Sequence, residues 1–274
     1  MSRYFYSLLI TLLAPLLVLR LFVKGLREPD YARQWWRRFA LFLPKRTRAG
    51  DGLIWVHAVS VGELLAVSPL IECLLQEWPD KAVLVTNTTP TGSAQTTALF
   101  GDRVEHTWFP FDLPVVTDVF LRHWKPQLVV MVETEIWPNV LRSAKTQGVP
   151  VALINARLSA RSARGYARFG HFTRDVISDF ALIACQSKSD LRRFKKIGAT
   201  QASLHAVGSI KFDIDLAARR LQLEDIRADL GSECRSRPLW AAASTHEGEE
   251  QLVLDAYVAL QARGIKTRLL LAPR

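Results

Sequence analysis

Three ionisable side chains stand directly after apolar runs of this chain, where they could do acid–base or electrostatic chemistry. Glu63 lies in the first turn of a helix-period pattern that follows the apolar run Leu53–Ala58. Glu133 comes directly after the run Gln127–Val132, and Lys211 follows a later run of the same kind. Positioned carboxylates can accept protons, and a lysine can stabilise negative charge. Together these residues indicate a site, although each alone is more often a cap or a surface charge.

Glu63 has two interpretations that the sequence leaves open. Helix N-termini attract anions through their backbone N–H groups and their dipole, so a carboxylate in the first turn repels phosphate. Glu63 is then either a residue that complements the helix dipole or a general base that faces a hydroxyl. For a single first-turn glutamate the first interpretation is the more common one.

The apolar runs predict the scaffold that brings these residues together. Seven runs, over a predicted domain of residues 53–213, are rich in Val, Leu and Ile and are separated mostly by helical patterns. Strands that are apolar on both faces indicate a parallel α/β sheet covered by helices on both sides. Ligands bind at the carboxyl ends of the strands in such a sheet. The predicted strands are Leu53–Ala58, Ala82–Asn87, Val104–Phe109, Gln127–Val132, Pro150–Ile154, Ala181–Ala184 and Ser203–Val207.

A second unit is predicted after a charged connector over residues 214–237. It consists of a strand over Leu239–Ala243, a helix capped by Ser244–Glu247, and a strand over Thr267–Leu271. One βαβ unit cannot bury a core of its own, and open sheets usually have more strands. Residues 238–274 therefore either pack on the first domain or are the start of a second domain partway through which the sequence stops. We expect the second.

The N-terminus has the composition of a membrane anchor, predicted over residues 1–25. Tyr4–Leu19 contains no charged residue, although it is shorter than a typical spanning helix and includes Pro15. No small-residue cleavage site follows it, which argues against a removable signal peptide. Residues 26–52 are predicted to be a basic and aromatic linker, a composition that suits the headgroup layer on the cytoplasmic side of a membrane. A buried N-terminal helix with a basic surface is the alternative.

The charge of the chain indicates an anionic partner. The net charge is +10 over 274 residues, which suits nucleic acid, an anionic membrane surface or a phosphorylated substrate. The basic residues lack an aromatic-rich binding signature, so nucleic acid is the weakest of these three. The GxxxxGK[ST], GxGxxG, GxSxG and HExxH motifs are absent from the sequence. We therefore expect no cofactor and no metal site.

Four arginines form a further set with regular spacing. Arg157, Arg161, Arg164 and Arg168 are four, three and four residues apart and would line one face if the segment were helical. A solvated basic surface is the default interpretation. The sharper hypothesis is a face that binds an anionic headgroup or a phosphorylated substrate, which a membrane anchor on the same chain makes more reasonable.

Six short blocks of the sequence carry most of these candidate residues. In chain order they are HAVSVGE at 57–63, TPTGS at 89–93, ETEIWPN at 133–139, NARLSAR at 155–161, GSIKFD at 208–213 and STHEGEE at 244–250. Together with the apolar N-terminus, they resemble the 3-deoxy-D-manno-octulosonic acid (Kdo) transferases of lipopolysaccharide synthesis. The resemblance covers essentially the whole chain, in order.

The resemblance implies a GT-B glycosyltransferase with two Rossmann-like domains that face a cleft. The N-terminal domain would bind a lipid A precursor (lipid IVA) as acceptor, and the C-terminal domain would bind CMP-Kdo as donor. Glu63 would be the proton acceptor, while Glu133 and Lys211 would stabilise the transition state. Pro273 and Arg274 would match the start of the CMP-binding region.

The resemblance also implies a location and leaves two functions open. The protein would lie on the cytoplasmic side of the cell inner membrane, anchored by its N-terminus. The family's later nucleotide-binding motifs have no counterpart in these 274 residues. The chain is then either a Kdo transferase or a membrane-bound acceptor-binding domain that is catalytically incomplete.

Overall fold

The computed structural model describes residues 2–47, 50–213 and 237–273. These residues belong to two compact units, one up to residue 213 and one from residue 237. The predicted connector lies outside the described residues apart from Arg237.

Seven strands of the first unit form one parallel sheet. Their bounds are β1 Leu53–His57, β2 Ala82–Asn87, β3 Glu105–Trp108, β4 Leu128–Val132, β5 Val151–Ala156, β6 Leu182–Cys185 and β7 Leu204–Ala206. The order across the sheet is β3-β2-β1-β4-β5-β6-β7, and all neighbours are parallel. The seven strand predictions are confirmed to within two residues at each end.

The strands of this sheet are apolar throughout because side chains on both faces are buried. In β1, Leu53 and Trp55 belong to one hydrophobic layer, whereas Ile54 and Val56 belong to the other. The described helices of this unit are α1 Arg3–Leu12, α2 Ala14–Gly25, α3 Val61–Glu77, α4 Pro90–Phe100, α5 Pro114–Trp124, α6 Pro138–Thr146, α7 Ala160–Ala167, α8 His171–Ile177 and α9 Lys188–Ile197. Helix α3 packs on one layer, and α5 and α6 pack on the other.

The strand order reverses between β1 and β4, which lie side by side near the middle of the sheet. Strand β1 pairs with β2 on one side and with β4 on the other. In open α/β sheets the crevice at the carboxyl ends of such a pair is the usual ligand site. Glu63 follows β1 and Glu133 follows β4, so two of the candidate residues lie at this crevice, which we call the switch point.

Helices α1 and α2 meet at a bend of 48°. Pro15 stands at the start of α2, where a residue without a backbone N–H interrupts the hydrogen bonds of a continuous helix. Within the described residues no single helix has the length and apolar character to cross a membrane, whereas α1 and α2 together meet that criterion as a bent pair. Large apolar side chains along both helices are exposed, among them Leu8, Leu12 and Leu16.

The segment that was predicted as a linker packs against the sheet domain. It contains two short 3-10 turns, at Pro29–Tyr31 and Trp35–Phe39. The backbone N–H of Phe111 donates to the Arg38 carbonyl at 2.7 Å, and the rings of Phe39 and Phe111 lie 5.0 Å apart between centroids. Phe39, one of the aromatic residues of the segment expected at a headgroup layer, therefore packs against a residue of the sheet domain.

A buried carboxylate connects α1 to the start of α6. Asp112 accepts the backbone N–H groups of Asn139, at 3.1 Å, and Val140, at 2.8 Å. The Tyr6 hydroxyl donates to the same carboxylate at 2.8 Å, and the Ser7 hydroxyl donates to the Asn139 side chain at 2.7 Å. Burial raises the pKa of Asp112 to about 6, although these donors act in the opposite direction. Polar contacts thus fix the N-terminal helix on the domain.

The second unit contains one βαβ segment. Its elements in chain order are β8 Leu239–Thr245, α10 Glu249–Ala262 and β9 Arg268–Pro273. The two strands are parallel neighbours. The helix cap predicted at Ser244–Glu247 is wrong, because β8 continues through Thr245 and α10 begins at Glu249. The backbone N–H of His246 instead donates to the Glu249 carboxylate at 2.8 Å.

Replacing Asp112 with alanine should destabilise the first unit by roughly 2–4 kcal/mol, because two helix-start N–H groups and the Tyr6 hydroxyl lose their acceptor. Tyr6→Phe removes one donor only and should cost about 1 kcal/mol. Urea unfolding followed by tryptophan fluorescence measures both effects. The matched control is Asp118→Ala on α5, which should change the unfolding free energy by less than about 0.5 kcal/mol. Equal stability of the Asp112 and Asp118 variants would contradict the connection described here.

Candidate functional site

Glu63 is the third residue of α3, whose N-cap is Ser60. Its carboxylate turns back and accepts the backbone N–H of Val59 at 2.6 Å, as acidic residues at this position of a helix often do. The dipole-complementing interpretation therefore describes the local geometry of Glu63. The side chain is only partly buried, so the carboxylate can still meet a ligand, and the interpretation as a general base stays open.

The turn that carries Glu63 is fixed by the end of the neighbouring strand. The buried side chain of Asn87 donates to the Ala58 carbonyl at 2.8 Å. The backbone N–H of Thr88 donates to the Val59 carbonyl at 3.2 Å. These contacts join the end of β2 to the turn between β1 and α3, so the position of Glu63 is set by the sheet itself.

The surroundings of Glu63 favour its protonated form. Its pKa is raised from 4.5 to about 7, chiefly by burial and further by the nearby carboxylates of Glu135 and Glu133. Hydrogen bonds from the backbone amides of Val59 and Ser60 act in the opposite direction. A carboxylate with a pKa near neutrality is suited both to accept and to release a proton at physiological pH.

Glu133 and Lys211 lie together at the same edge of the sheet. Lys211 Nζ is 3.7 Å from Glu133 Oε1. Lys211 belongs to a short 3-10 turn, Ile210–Phe212, that packs against α3, the helix of Glu63. The three residues predicted to be catalytic therefore belong to one region. The side chain of Lys211 is more than half exposed, so this ion pair is solvent-accessible and weak.

Two strained backbone positions shape this region. Glu133 has a φ angle of 66° and Asn155 one of 50°, which are left-handed conformations uncommon outside glycine. The Asn155 side-chain oxygen accepts the backbone N–H of Ile210 at 3.3 Å. This contact connects the end of β5 to the turn that carries Lys211. Asn155 is thus a positioning residue, and its sequence signals are its place in one of the six blocks and its position directly after a predicted strand.

Glu135, His57 and Trp137 form a second group at this edge, for which the sequence pattern predicts no catalytic role. The indole N–H of Trp137 donates to Glu135 Oε2 at 2.6 Å. The same oxygen lies 3.7 Å from Nε2 of His57, which is fully buried. Nδ1 of His57 lies 3.0 Å from the Thr86 carbonyl, which can only accept, so we assign the proton of the neutral ring to Nδ1.

The four regularly spaced arginines do not all lie on one helix. Helix α7 begins at Ala160, so Arg157 precedes it, and Arg168 is its C-cap residue. Arg161 and Arg164 lie within the helix, and all four side chains are exposed. The prediction of a single helical face is therefore wrong for Arg157.

Two other predicted features concern the donor site and metal binding. Pro273 ends β9 in the second unit, and Arg274 lies outside the described residues. In residues 2–47, 50–213 and 237–273 no group of three or more His, Cys, Asp or Glu side chains is placed to hold a metal ion.

The pKa of Glu63 can be measured directly by the pH dependence of its ¹³C-labelled carboxyl resonance. We expect a midpoint near 7, and we expect Glu135→Gln to lower it because one neighbouring negative charge is removed. Glu72→Gln is the matched control, since Glu72 lies on the same helix and pairs with Arg103 at the surface. A midpoint near 4.5 in the parent chain, or equal shifts in both variants, would contradict the electrostatic description.

Solved structures share this fold at low sequence identity. UDP-GlcNAc 2-epimerase from Neisseria meningitidis, bound to UDP-GlcNAc, is 13% identical with a TM-score of 0.55, over 80% of this chain and 64% of that chain. Anabaena Alr3699/HepE in complex with UDP-glucose is 13% identical with a TM-score of 0.50, over 81% of this chain and 69% of that chain. These similarities show the fold alone, and they confirm the predicted parallel α/β sheet with GT-B-like neighbours.

Sequence comparison gives closer relatives. The 3-deoxy-D-manno-octulosonic acid transferase of Haemophilus influenzae is 34% identical over all of this chain and 64% of its own length. The transferase of the same name from Bordetella pertussis is 36% identical with the same coverage. This chain therefore spans 64% of the length of these two relatives. The family model described as 3-Deoxy-D-manno-octulosonic-acid transferase (kdotransferase) matches residues 33–214. As the six sequence blocks predicted, the chain belongs to the Kdo transferase family.

Proposed function

We propose that this chain transfers Kdo from CMP-Kdo to a lipid A precursor, lipid IVA, with Glu63 as the general base. Membership of the Kdo transferase family supports the reaction class. The observation that carries the proposal is the grouping of three residues at the switch point: Glu133 raises the pKa of Glu63 and pairs with Lys211. No metal ion or cofactor enters the proposed chemistry.

The proposed reaction begins at a sugar hydroxyl of the acceptor. Glu63 takes the hydroxyl proton while the oxygen attacks the anomeric carbon of Kdo, and a new C–O bond forms. The bond from that carbon to the phosphate oxygen of CMP breaks with inversion, and its electron pair leaves with CMP. A pKa of about 7 supports this role of Glu63, because such a carboxylate is partly ionised at neutral pH and binds a proton more firmly than an ordinary one.

Glu133 and Lys211 are proposed to meet the charges that develop in the transition state. Positive charge builds on the sugar as an oxocarbenium-like centre, and the Glu133 carboxylate would stabilise that charge. Negative charge builds on the departing phosphate, and Lys211 would stabilise it. The ion pair between the two residues is weak and exposed, so a ligand can separate them at little cost in free energy. Each side chain is then free to take its separate role in the transition state. Pro273 and Arg274 are proposed to contact the CMP group.

The acceptor is proposed to be reached at a membrane. The exposed apolar side chains of α1 and α2 support an anchor on the cytoplasmic side of the cell inner membrane. The exposed arginines Arg157, Arg161, Arg164 and Arg168 would face an anionic membrane surface or the phosphates of the acceptor. A surface of this charge suits a phosphorylated lipid held in a bilayer.

A second candidate function is binding without transfer. In this alternative the chain is a membrane-bound domain that binds the acceptor and transfers no Kdo. The assay below separates the two candidates. Acceptor binding with no product would favour this second candidate.

Glu63→Gln should lower the rate of Kdo transfer by roughly 10²- to 10⁴-fold, because the carboxylate that accepts the proton is lost. The measurement is the formation of Kdo-modified lipid in membranes supplied with CMP-Kdo and lipid IVA. In the parent, kcat/KM should rise with pH up to about 7, because Glu63 must lose its proton before it can act as a base. Glu72→Gln on the same helix should retain the parent rate. Product at the parent rate from Glu63→Gln would remove Glu63 from the mechanism.

Membrane association should depend on the exposed apolar surface of the N-terminal helices. Leu12 and Leu16 are 69% and 58% exposed, and replacing both with glutamate should reduce the fraction of protein that floats with anionic vesicles. Val115 and Val119 on α5 are 73% and 42% exposed, and the same double replacement there should leave flotation unchanged. Equal flotation of all three proteins would show that α1 and α2 are not the anchor.

A further inference from the structure

A cavity of about 350 Å³ lies between the N-terminal helices and the carboxyl edge of the sheet. Leu17 and Leu21 of α2 line one wall, and Phe109 and Phe111 line the other. Its volume falls in the range of pockets that take small ligands, roughly 300–1,000 Å³. The cavity is therefore large enough to take part of an amphiphilic molecule.

The cavity extends to two residues that interact with Glu63. Val59, whose backbone N–H donates to Glu63, lines it together with Glu135, whose charge raises the pKa of Glu63. A molecule in this cavity would therefore lie beside the proposed base. Both the cavity and the base belong to the first unit of the structure.

A buried cation in the cavity wall lacks a carboxylate partner. Arg38 is 4% exposed; its guanidinium donates to the Thr88 carbonyl at 2.9 Å and lies over the Trp108 ring at 4.3 Å. Its Nε atom is buried without a hydrogen-bond acceptor, and no described carboxylate lies within ion-pair distance of it. Burial lowers the pKa of Arg38 to about 10, so it keeps its charge at neutral pH. A buried charge without a counter-charge is costly.

Basic side chains outnumber carboxylates around the cavity by three to two, Arg20, Lys24 and Arg38 against Asp112 and Glu135. Arg20 and Lys24 also line it and are exposed, and neither forms an ion pair within the described part of the chain. The carboxylate of Asp112 is occupied by the Tyr6 hydroxyl and by backbone N–H groups. The carboxylate of Glu135 accepts the indole N–H of Trp137. An anionic group thus suits the basic side of the cavity, and an apolar chain suits the walls.

We infer that this cavity binds a phosphate and the start of an acyl chain of the lipid acceptor, with the phosphate beside Arg38 and the chain against α2. The inference rests on the proposed function, which identifies the acceptor as a phosphorylated and acylated sugar. It gives α1 and α2 a role beyond anchoring, because they form one wall of the acceptor site. Arg38 would then receive its counter-charge from the substrate.

The test measures binding of two lipids to the 274-residue chain in phosphatidylcholine nanodiscs. One lipid is the bisphosphorylated lipid IVA, and the other is the same molecule without its phosphates. Arg38→Met should weaken binding of the phosphorylated form roughly tenfold, as expected for the loss of a charge-assisted contact, and should leave binding of the dephosphorylated form unchanged. Arg27→Met is the matched control, since Arg27 is exposed and does not line the cavity. It should bind both lipids as the parent does.

A second pair of variants keeps the test valid if Arg38→Met fails to fold. Leu17→Trp should fill the cavity from α2 and weaken binding of lipid IVA roughly tenfold. Val115→Trp on α5 changes a residue that is 73% exposed and does not line the cavity, and it should bind as the parent does. Equal binding by the two tryptophan variants would overturn the inference.

The remaining outcomes separate this inference from the proposed function. If Arg38→Met weakened the binding of both lipids equally, Arg38 would only support the fold, and its proposed contact with phosphate would be overturned. Displacement of lipid IVA by an equal amount of phosphatidylglycerol would show a general phospholipid site, and would overturn the assignment to the acceptor. Kdo transfer that depends on Glu63, together with unchanged binding in the cavity variants, would leave the proposed function intact and remove the cavity from it. No binding of lipid IVA by the parent would overturn both.

Discussion

A parallel sheet that is buried on both faces leaves one place where charged side chains can gather, the carboxyl ends of its strands. In this domain Leu53 and Trp55 fill one hydrophobic layer while Ile54 and Val56 fill the other, so an ionised group between the sheet and its helices would lose its solvation. The reversal of strand order between β1 and β4 opens the crevice at that edge. Glu63 and Glu133 follow these two strands, and their interaction is a consequence of the topology.

The helix-capping geometry of Glu63 and its raised pKa act on the same proton in opposite directions. The amide of Val59 stabilises the carboxylate, whereas burial and the charges of Glu135 and Glu133 destabilise it, and the second set prevails. The hydrogen bond then fixes the orientation of a group whose proton affinity is set by its neighbours. The common role of a first-turn glutamate and the proposed catalytic role are therefore compatible, since the first positions the group that the second uses.

The hydrophobic pattern predicted the scaffold well. The seven strands are buried on both faces and therefore appear as apolar runs, whereas loops do not. The same pattern could not give the partners of single side chains. The contact between Asn155 and Ile210 and the position of Glu135 beside His57 depend on left-handed backbone conformations and on strand neighbours far apart in sequence. The cap predicted at Ser244–Glu247 was wrong because these residue types also suit a helix start. In the structure, β8 instead continues into them with an irregular end.

The N-terminal helices connect the membrane question to the site. Tyr6 and Ser7 of α1 bind Asp112 and Asn139, and Asn139 closes the block that begins with Glu133. A helix held this way cannot tilt freely in a bilayer without disturbing the start of α6. If α1 and α2 associate with lipid, the switch point therefore keeps a defined orientation towards the membrane surface. The cavity with Arg38 lies between these same helices and the sheet edge, and under the proposed function a lipid acceptor would pass there from the bilayer to Glu63.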